Sequence, residues 1–261
     1  MALIHTEFFS NTLEMCVSCD VILPQAKDAN VRPRFKTLWL LHGMSDDETI
    51  WQRRTGIERY AVPKGLAVVM PAAHLSSYAN MAHGGRYFDY ISEELPQIMR
   101  GFFPLSEKRE DNYICGLSMG GAGAMKIGLA KPEAYAAIGC LSAGVINRNP
   151  AKDGTPQQAA RAKMLFGSRD LKGTEEDVFG CALRNIREGR PLPRIYHTCG
   201  DRDFILGSAL QTKAFFESEE GAAYEYVYEQ DPGAHEWAYW DSHIVRFLAF
   251  LNLKDQQLYY K

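Results

Sequence analysis

Short apolar runs rich in β-branched and aromatic residues alternate along the chain with stretches whose apolar positions follow a helical period. Residues 37–41 and 66–70 are continuously apolar, as expected of strands that helices cover on both faces of a parallel sheet. The predicted strands are 16–23, 37–41, 66–70, 113–115, 136–141, 194–198 and 224–228, and the predicted helices are 88–103, 120–130, 206–220 and 236–251. This order predicts an α/β fold: a three-layer α/β/α sandwich around a mostly parallel sheet of about eight strands.

Two segments depart from this rhythm. Residues 24–36 connect the first two predicted strands without room for a helix, so we expect the first of them to be antiparallel to its neighbours. Residues 147–190 are rich in Lys, Arg, Gly and Asp and have weak periodicity, which predicts an excursion over the sheet rim that covers a substrate. No linker or internal repeat divides the sequence, so we expect a single domain over residues 1–261.

The composition narrows the class of protein. Of 261 residues, 46% are hydrophobic and 23% are charged, which is typical of a globular domain. The net charge of -3 lacks the basic excess that nucleic acid or an anionic membrane attracts, so we expect neither as a partner. Glu7 and Asn11 interrupt what would be the apolar core of a signal peptide, which predicts a cytoplasmic protein.

The cysteine pattern favours thiols over metal ligands. Four of the six cysteines lie in or beside apolar strand-like runs, so we expect reduced, buried side chains. Cys16 and Cys19 have the spacing of half a zinc site, but no second Cys or His pair follows them. Residues three apart on a strand also point to opposite faces. We therefore expect no metal.

A G-x-S-x-G motif at Gly116, Ser118 and Gly120 lies between a predicted strand and a helix of small residues. This is the setting of a nucleophile elbow, a strained turn that exposes the serine hydroxyl and has glycines where a Cβ would clash. The backbone N–H of Met119 begins the helix and can donate to an oxyanion. In hydrolases with this elbow the second donor comes from an earlier strand-end loop, which here assigns it to Met44.

His235, between the last predicted strand and the last helix, is the candidate general base. Asp201 and Asp203 both precede it, and one of them is expected to be a turn or capping residue. We favour Asp203 because the apolar residues 204–206 beside it would shield it. The order Ser118, Asp203, His235 is that of α/β-hydrolases. The other histidines are expected to be structural or surface residues, with His83 a further candidate for a pocket: His5, His42, His74, His83, His197 and His243.

Aromatic residues in loops at the carboxyl-terminal rim of the sheet are candidates for the substrate pocket. They are Trp51, Tyr78, Tyr87 and Trp237, joined by Gly43 of the oxyanion loop. Trp237 is favoured because it lies two residues from His235, although core packing explains each aromatic equally well. Trp240 and Phe247 are expected on the buried face of the last helix.

Several blocks of sequence occur in one characteristic order: LLHGM at 40–44, YFDYISEELP at 87–96, GLSMGG at 116–121, CGDRDF at 199–204 and GAHEW at 233–237. Over nearly its whole length the chain resembles the tributyrin esterase branch of the esterase D / S-formylglutathione hydrolase family, within the α/β-hydrolases. The resemblance implies Asp203 as the acid, since the family's acid precedes the Phe of its CGxxDF segment, here residues 199–204. It also implies short-chain carboxylic esters as substrates, including acetylated carbohydrates, and feruloyl esters for the wider group. Residues 147–190 match no motif of the family.

Together these features predict a serine carboxylesterase that forms an acyl-enzyme on Ser118 without a metal or organic cofactor. The expected partner is a small ester, and a homo-oligomer fits base rates. One alternative is S-formylglutathione hydrolase, which would use the same serine on a thioester. The other is a catalytically silent binding protein on the same fold, which is disfavoured because every triad and oxyanion segment is present.

Overall fold

Eight strands form one sheet in a computed structural model that describes residues 1–25, 33–145 and 155–255. They are β1 (Ala2–Ser10), β2 (Met15–Leu23), β3 (Lys36–Leu41), β4 (Leu66–Pro71), β5 (Asn112–Leu117), β6 (Ala137–Leu141), β7 (Arg194–Thr198) and β8 (Tyr226–Glu229). Their spatial order is β1-β2-β4-β3-β5-β6-β7-β8. β2 is antiparallel to β1 and β4, and all the other neighbours are parallel. The predicted mostly parallel sheet and the antiparallel direction of β2 are confirmed.

β1 is the strand that the sequence pattern does not predict. It lies at the sheet edge and pairs only with β2. Leu3 and Phe9 on it are more than half exposed, at 53% and 56%. The hairpin turn that follows is fixed by Glu94, whose carboxylate accepts hydrogen bonds from the backbone N–H groups of Asn11 and Thr12. An edge strand has one neighbour and needs no continuous apolar run, so periodicity identifies it poorly.

Helices lie on both faces of the sheet. They are α1 (Ile50–Arg54), α2 (Ile57–Ala61), α3 (Tyr87–Asp89), α4 (Leu95–Phe102), α5 (Met119–Ala130), α6 (Pro156–Phe166), α7 (Val178–Arg187), α8 (Leu206–Phe216) and α9 (Trp237–Phe250). A π-helical turn, Tyr90–Glu94, joins α3 to α4, and 3₁₀ turns occupy Val62–Lys64 and Arg109–Asp111. The four predicted helices correspond to α3 with α4, α5, α8 and α9. α1 and α2 are too short to show a period.

Two apolar clusters occupy the two sides of the sheet. One includes residues of α4, α5 and α7, and the other includes residues of α1, α2 and α9. Leu38 and Trp39 are neighbours in β3 but belong to different clusters, because successive side chains of a strand point to opposite faces. The continuous apolar runs therefore mark strands covered on both sides, and the predicted three-layer sandwich is confirmed.

The described part of the predicted excursion contains α6 and α7. The carbonyl of Leu165 at the end of α6 accepts a hydrogen bond of 2.7 Å from the N–H of Ala82, in the loop after β4. Lys126 of α5 forms an ion pair of 2.8 Å with Glu176, just before α7, and both side chains are nearly buried. The excursion is thus attached to the carboxyl-terminal edge of the sheet. Residues 147–154 of it lie outside the described residues.

All six cysteines are free thiols. Five are buried and Cys16 is exposed, which corrects the expectation that all of them are buried. Cys16 and Cys19 both lie on β2, and only Cys19 turns inward, as their spacing on a strand requires. In the described part of the chain no helix is long and apolar enough to cross a membrane.

His197 on β7 is a buried histidine that the fold keeps neutral. One ring nitrogen, Nε2, donates to the carbonyl of Ala143 at 2.7 Å, and Nδ1 accepts from the hydroxyl of Tyr226 at 2.7 Å. Burial lowers the pKa of its imidazole to about 4. Because the unfolded chain takes up a proton near pH 6.5 and the folded histidine does not, stability falls as the pH drops from 6.5 toward 4.

We therefore expect the unsubstituted protein to lose free energy of unfolding when the pH falls from 7 to 4.5. Glutamine hydrogen-bonds but does not titrate, so the loss in His197→Gln should be smaller by about 2 kcal/mol. Urea unfolding at the two pH values measures this difference, with His74→Gln, at an exposed position, as the control. An equal acid-induced loss in the His197→Gln variant and the unsubstituted protein would show that His197 is not held neutral.

Candidate active site

Ser118 lies at the turn between β5 and α5, with backbone angles φ 52° and ψ -118°. Residues with a side chain rarely adopt a positive φ, and such strain concentrates at functional sites. A Cβ at Gly116 would lie 2.4 Å from the backbone carbon of Gly120, so only glycine permits this approach of strand and helix. The turn has the geometry that the G-x-S-x-G motif predicts.

His235 and Asp203 continue a line of hydrogen bonds from this serine. Nε2 of His235 is 2.9 Å from Oγ of Ser118, and Nδ1 is 2.9 and 3.0 Å from the two carboxylate oxygens of Asp203. Since Nδ1 faces a carboxylate, we assign it the ring proton, which leaves Nε2 to accept the proton of the serine hydroxyl. The structure thus brings together the three residues predicted as a triad.

The structure places Asp203 rather than Asp201 against the histidine. Oδ1 of Asp201 instead accepts the backbone N–H of Gly233 at 3.0 Å, which fixes the loop that carries His235. Burial raises the pKa of the Asp203 carboxyl, but hydrogen bonds from His235 and from the N–H of Ile205 outweigh it and hold the pKa below its usual range. Asp203 is therefore ionised at neutral pH and can orient the imidazole.

The start of α5 packs directly on the loop that follows β3. A Cβ at Gly120 would lie 2.5 Å from the carbonyl oxygen of Leu41 and 2.6 Å from that of His42. Met119 begins the helix and Met44 lies in the loop. Among the described residues neither of their backbone N–H groups has a hydrogen-bond acceptor, so both can donate to an oxygen held at Ser118.

Trp51 and Tyr78 lie behind the site, which corrects the predicted pocket. Both side chains are fully buried. Nε1 of Trp51 donates to the carbonyl of Leu41 at 3.0 Å, and the hydroxyl of Tyr78 donates to the carbonyl of His42 at 2.9 Å. The two aromatics fix the backbone of the oxyanion loop and present no surface to a substrate.

His42 has a structural role in the same loop. Its Nε2 accepts the N–H of Ala73 at 2.9 Å, and its Nδ1 donates to the carbonyl of Gly43 at 2.7 Å. Burial lowers the pKa of the imidazole, so the ring is neutral and both nitrogens are engaged. His42 therefore joins the loops after β3 and β4, as expected of a residue that carries no proton in the reaction.

Trp240 is the tryptophan of α9 whose ring meets that of the candidate base. The Trp240 ring meets that of His235 edge-on, with centroids 4.9 Å apart. Trp237 is partly exposed and packs edge-on against Trp51 and Trp240, at 5.3 and 5.1 Å. Trp240 is buried on α9, as expected, and the helix also turns it toward the loop of His235.

The other two predicted pocket residues are also largely buried. Tyr87 is 7% exposed and packs edge-on against His74. Gly43 is buried, and a Cβ there would lie 2.5 Å from a methyl carbon of Leu117. Gly43 thus allows the oxyanion loop to lie against the end of β5, while Tyr87 has little surface for a ligand.

Two further residues lie beside the site, and neither of them is among the residues predicted for the substrate pocket. Phe204, expected to shield Asp203, is 80% exposed, and its ring lies 4.4 Å from that of His235. Its position directly after the acid is the signal that indicates it. Arg161 of α6 reaches the side chains of both predicted oxyanion residues. It belongs to the segment without a recognisable motif, so no pattern identifies it.

A separate group of side chains, Glu229, Asp231 and His243, has the chemistry of metal ligands. Arg246 donates hydrogen bonds to Glu229, at 3.1 Å, and to Asp231. A guanidinium therefore already balances these carboxylates, and a metal ion would have to displace it. No other such group occurs in the ranges that the structure describes.

A family model and several known proteins are similar to this chain. The model described as "Putative esterase" matches residues 10–251. An acetyl esterase of Caldicellulosiruptor saccharolyticus is 28% identical over 267 residues, which cover 97% of this chain and 98% of the relative. The substrate-bound structure of fluorophosphonate-binding serine hydrolase F of Staphylococcus aureus is 35% identical, with a TM-score of 0.86. The apoenzyme of an S-formylglutathione hydrolase of Staphylococcus aureus is 35% identical, with a TM-score of 0.83. Each structural match covers 96% of this chain and 98% of the other.

The close approach at the elbow predicts unequal effects of two glycine substitutions. Gly116→Ala should destabilise the protein by about 2 kcal/mol or more, because its methyl group would overlap the backbone of Gly120. Gly101→Ala in α4 is the matched control, since a Cβ there has no neighbour within 4 Å and alanine favours a helix. Chemical unfolding measures both, and similar stabilities of the two variants would contradict the contact.

Proposed function

The chain belongs to the Esterase family, and from this membership we propose that it hydrolyses short-chain carboxylic esters through an acyl-enzyme on Ser118. That it is a hydrolase of carboxylic esters follows from the family, the acetyl esterase relative and the serine hydrolase structure. The observation that carries the assignment of residues is the hydrogen-bonded line from Ser118 through His235 to Asp203.

In the proposed reaction His235 takes the hydroxyl proton as Oγ of Ser118 attacks the ester carbonyl. The backbone N–H groups of Met44 and Met119 hold the oxyanion, and Asp203 stabilises the imidazolium. The imidazolium then gives its proton to the leaving alcohol. Water repeats the sequence with His235 as base, which releases the acid and restores the serine. The residues of the chain supply every group that these steps need.

Exposed apolar side chains lie near the proposed triad and in the loop after β3. Phe204, whose ring is 4.4 Å from that of His235, and Met44 are 80% and 50% exposed and offer apolar surface to an acyl group. The name of the acetyl esterase relative supports the same class of substrate. Acetylated carbohydrates and feruloyl esters belong to the proposed range.

A thioester is the second candidate substrate, because the S-formylglutathione hydrolase structure is as similar in sequence as the serine hydrolase. The same triad attacks either ester or thioester carbonyls. Turnover of S-formylglutathione against that of p-nitrophenyl acetate separates the two candidates.

Replacing the nucleophile tests the mechanism. Ser118→Ala should lower kcat on p-nitrophenyl acetate and butyrate by on the order of 10^4 or more, because no other group forms the acyl-enzyme. The same variant should lose labelling by a fluorophosphonate. Initial rates with acetate, butyrate and octanoate esters, methyl ferulate, acetylated xylo-oligosaccharides and S-formylglutathione define the range. Substantial activity in the variant would refute the assignment.

The two neighbouring acids provide a matched pair of substitutions. Asp203→Asn should lower kcat by on the order of 10^3 to 10^4, because an amide neither fixes the correct tautomer of His235 nor stabilises its cation. Asp201→Asn should cost far less, since the amide oxygen still accepts the N–H of Gly233. Steady-state kinetics of both variants measure the contrast, and a larger loss from Asp201→Asn would reverse the assignment.

A further inference from the structure

Arg161, in the middle of α6, places a positive charge beside the proposed reaction centre. Its Nη1 is 2.9 Å from the sulfur of Met44, and its Nη2 is 3.7 Å from the sulfur of Met119. These are the two residues whose backbone N–H groups we assign to the oxyanion. A group carried by an ester at Ser118 would therefore come close to this guanidinium.

The described residues around Arg161 offer it neutral acceptors only. Besides the sulfurs, which accept weakly, Nη2 donates to the carbonyl of Leu75 at 3.1 Å and to the hydroxyl of Ser77 at 3.2 Å. Arg190, by contrast, has its charge balanced in an ion pair with Glu133. Partial burial lowers the pKa of Arg161, as it does for a cation that loses water without gaining a counter-charge. An anionic ligand would supply that counter-charge.

The helix that carries Arg161 is anchored at both ends. A capping box begins α6, in which the hydroxyl of Thr155 accepts the N–H of Gln158 at 3.3 Å, and the Gln158 side chain accepts the N–H of Thr155 at 2.8 Å. At the other end the carbonyl of Leu165 accepts the N–H of Ala82. Arg161 lies between these anchors, and its hydrogen bonds to Leu75 and Ser77 orient the guanidinium, which reduces the freedom that a ligand must remove.

We infer that Arg161 is an anion-binding subsite that recognises a carboxylate carried by the ester substrate near its scissile carbonyl. The inference rests on the proposed function, since it extends the ester site at Ser118. Nε of Arg161 donates to no described acceptor and Nη1 only to a sulfur, so N–H groups remain for a carboxylate. Two kinds of ester carry such a group. Monoesters of dicarboxylic acids carry the carboxylate on the acyl side. Esters or thioesters of alcohols or thiols that bear a carboxylate carry it on the leaving-group side.

Two matched substrate pairs locate the carboxylate. The acyl-side pair is the mono-4-nitrophenyl ester of glutaric acid and its neutral carboxamide counterpart. The leaving-group pair is 3-acetoxybenzoate and 3-acetoxybenzamide. Within each pair the size is nearly constant and only the charge changes, so the ratio of kcat/KM, acidic over neutral, reports recognition of the anion.

Three variants test the residue. Arg161→Met removes the charge from a side chain of similar length, Arg161→Lys keeps the charge without the planar fork, and Lys163→Met removes an exposed charge from the same helix. In the responding pair, Arg161→Met should lower the ratio about tenfold or more, through KM, and Arg161→Lys should fall between. Lys163→Met should leave the ratio unchanged.

The outcomes separate the subsite from the esterase itself. If Arg161→Met slows both members of each pair equally, Arg161 only packs against Met44 and Met119 and the inference is wrong, while the proposed function stands. If the unsubstituted protein hydrolyses none of the four esters and escapes fluorophosphonate labelling, the proposed function fails and the subsite fails with it.

Discussion

The backbone contact between the start of α5 and the end of β3 is the constraint on which the site depends. Gly120 lies against the carbonyls of Leu41 and His42 with no room for a side chain between them. The chain must therefore pass from β5 into α5 at a single residue, and Ser118 takes a positive φ as the result. Such a conformation costs about 1–3 kcal/mol and persists because packed elements on both sides determine it.

The same contact aligns groups that come from distant parts of the chain. It brings the start of α5 beside the loop of Met44, while the hydrogen bond of Asp201 to Gly233 fixes the loop whose His235 meets the serine hydroxyl. The loop cannot drift away from the helix, because buried side chains hold its carbonyls from behind. Trp51 donates its one side-chain N–H group to the carbonyl of Leu41, and Tyr78 donates its hydroxyl to that of His42. If Met44 and Met119 hold the oxyanion as proposed, their N–H groups are in place before any substrate binds.

The sequence predicts those parts of the molecule whose signal is local. Continuous apolar runs identify the parallel strands, and glycine spacing between a strand and a helix identifies the elbow. The pattern does not predict β1, because an edge strand is half exposed. It does not predict α1 or α2 either, because helices of five residues show no period. The choice of Asp203 over Asp201 agrees with the geometry, since position in the loop decides which carboxylate reaches His235. The pocket residues were less predictable, because the role of an aromatic side chain depends on which distant carbonyl or ring it meets.

The attachment of α6 separates the evolution of specificity from that of catalysis. The helix is joined to the loop after β4 by backbone hydrogen bonds, which do not depend on side-chain identity. Among the described residues of α6, Arg161 contacts the side chains of Met44 and Met119. If Arg161 recognises the substrate as proposed, substitutions at this position would change which esters are accepted without altering the elbow, the loop of Met44 or the triad. In that case substrate preference can diverge while the chemistry stays the same, and α6 is where related sequences would record the divergence.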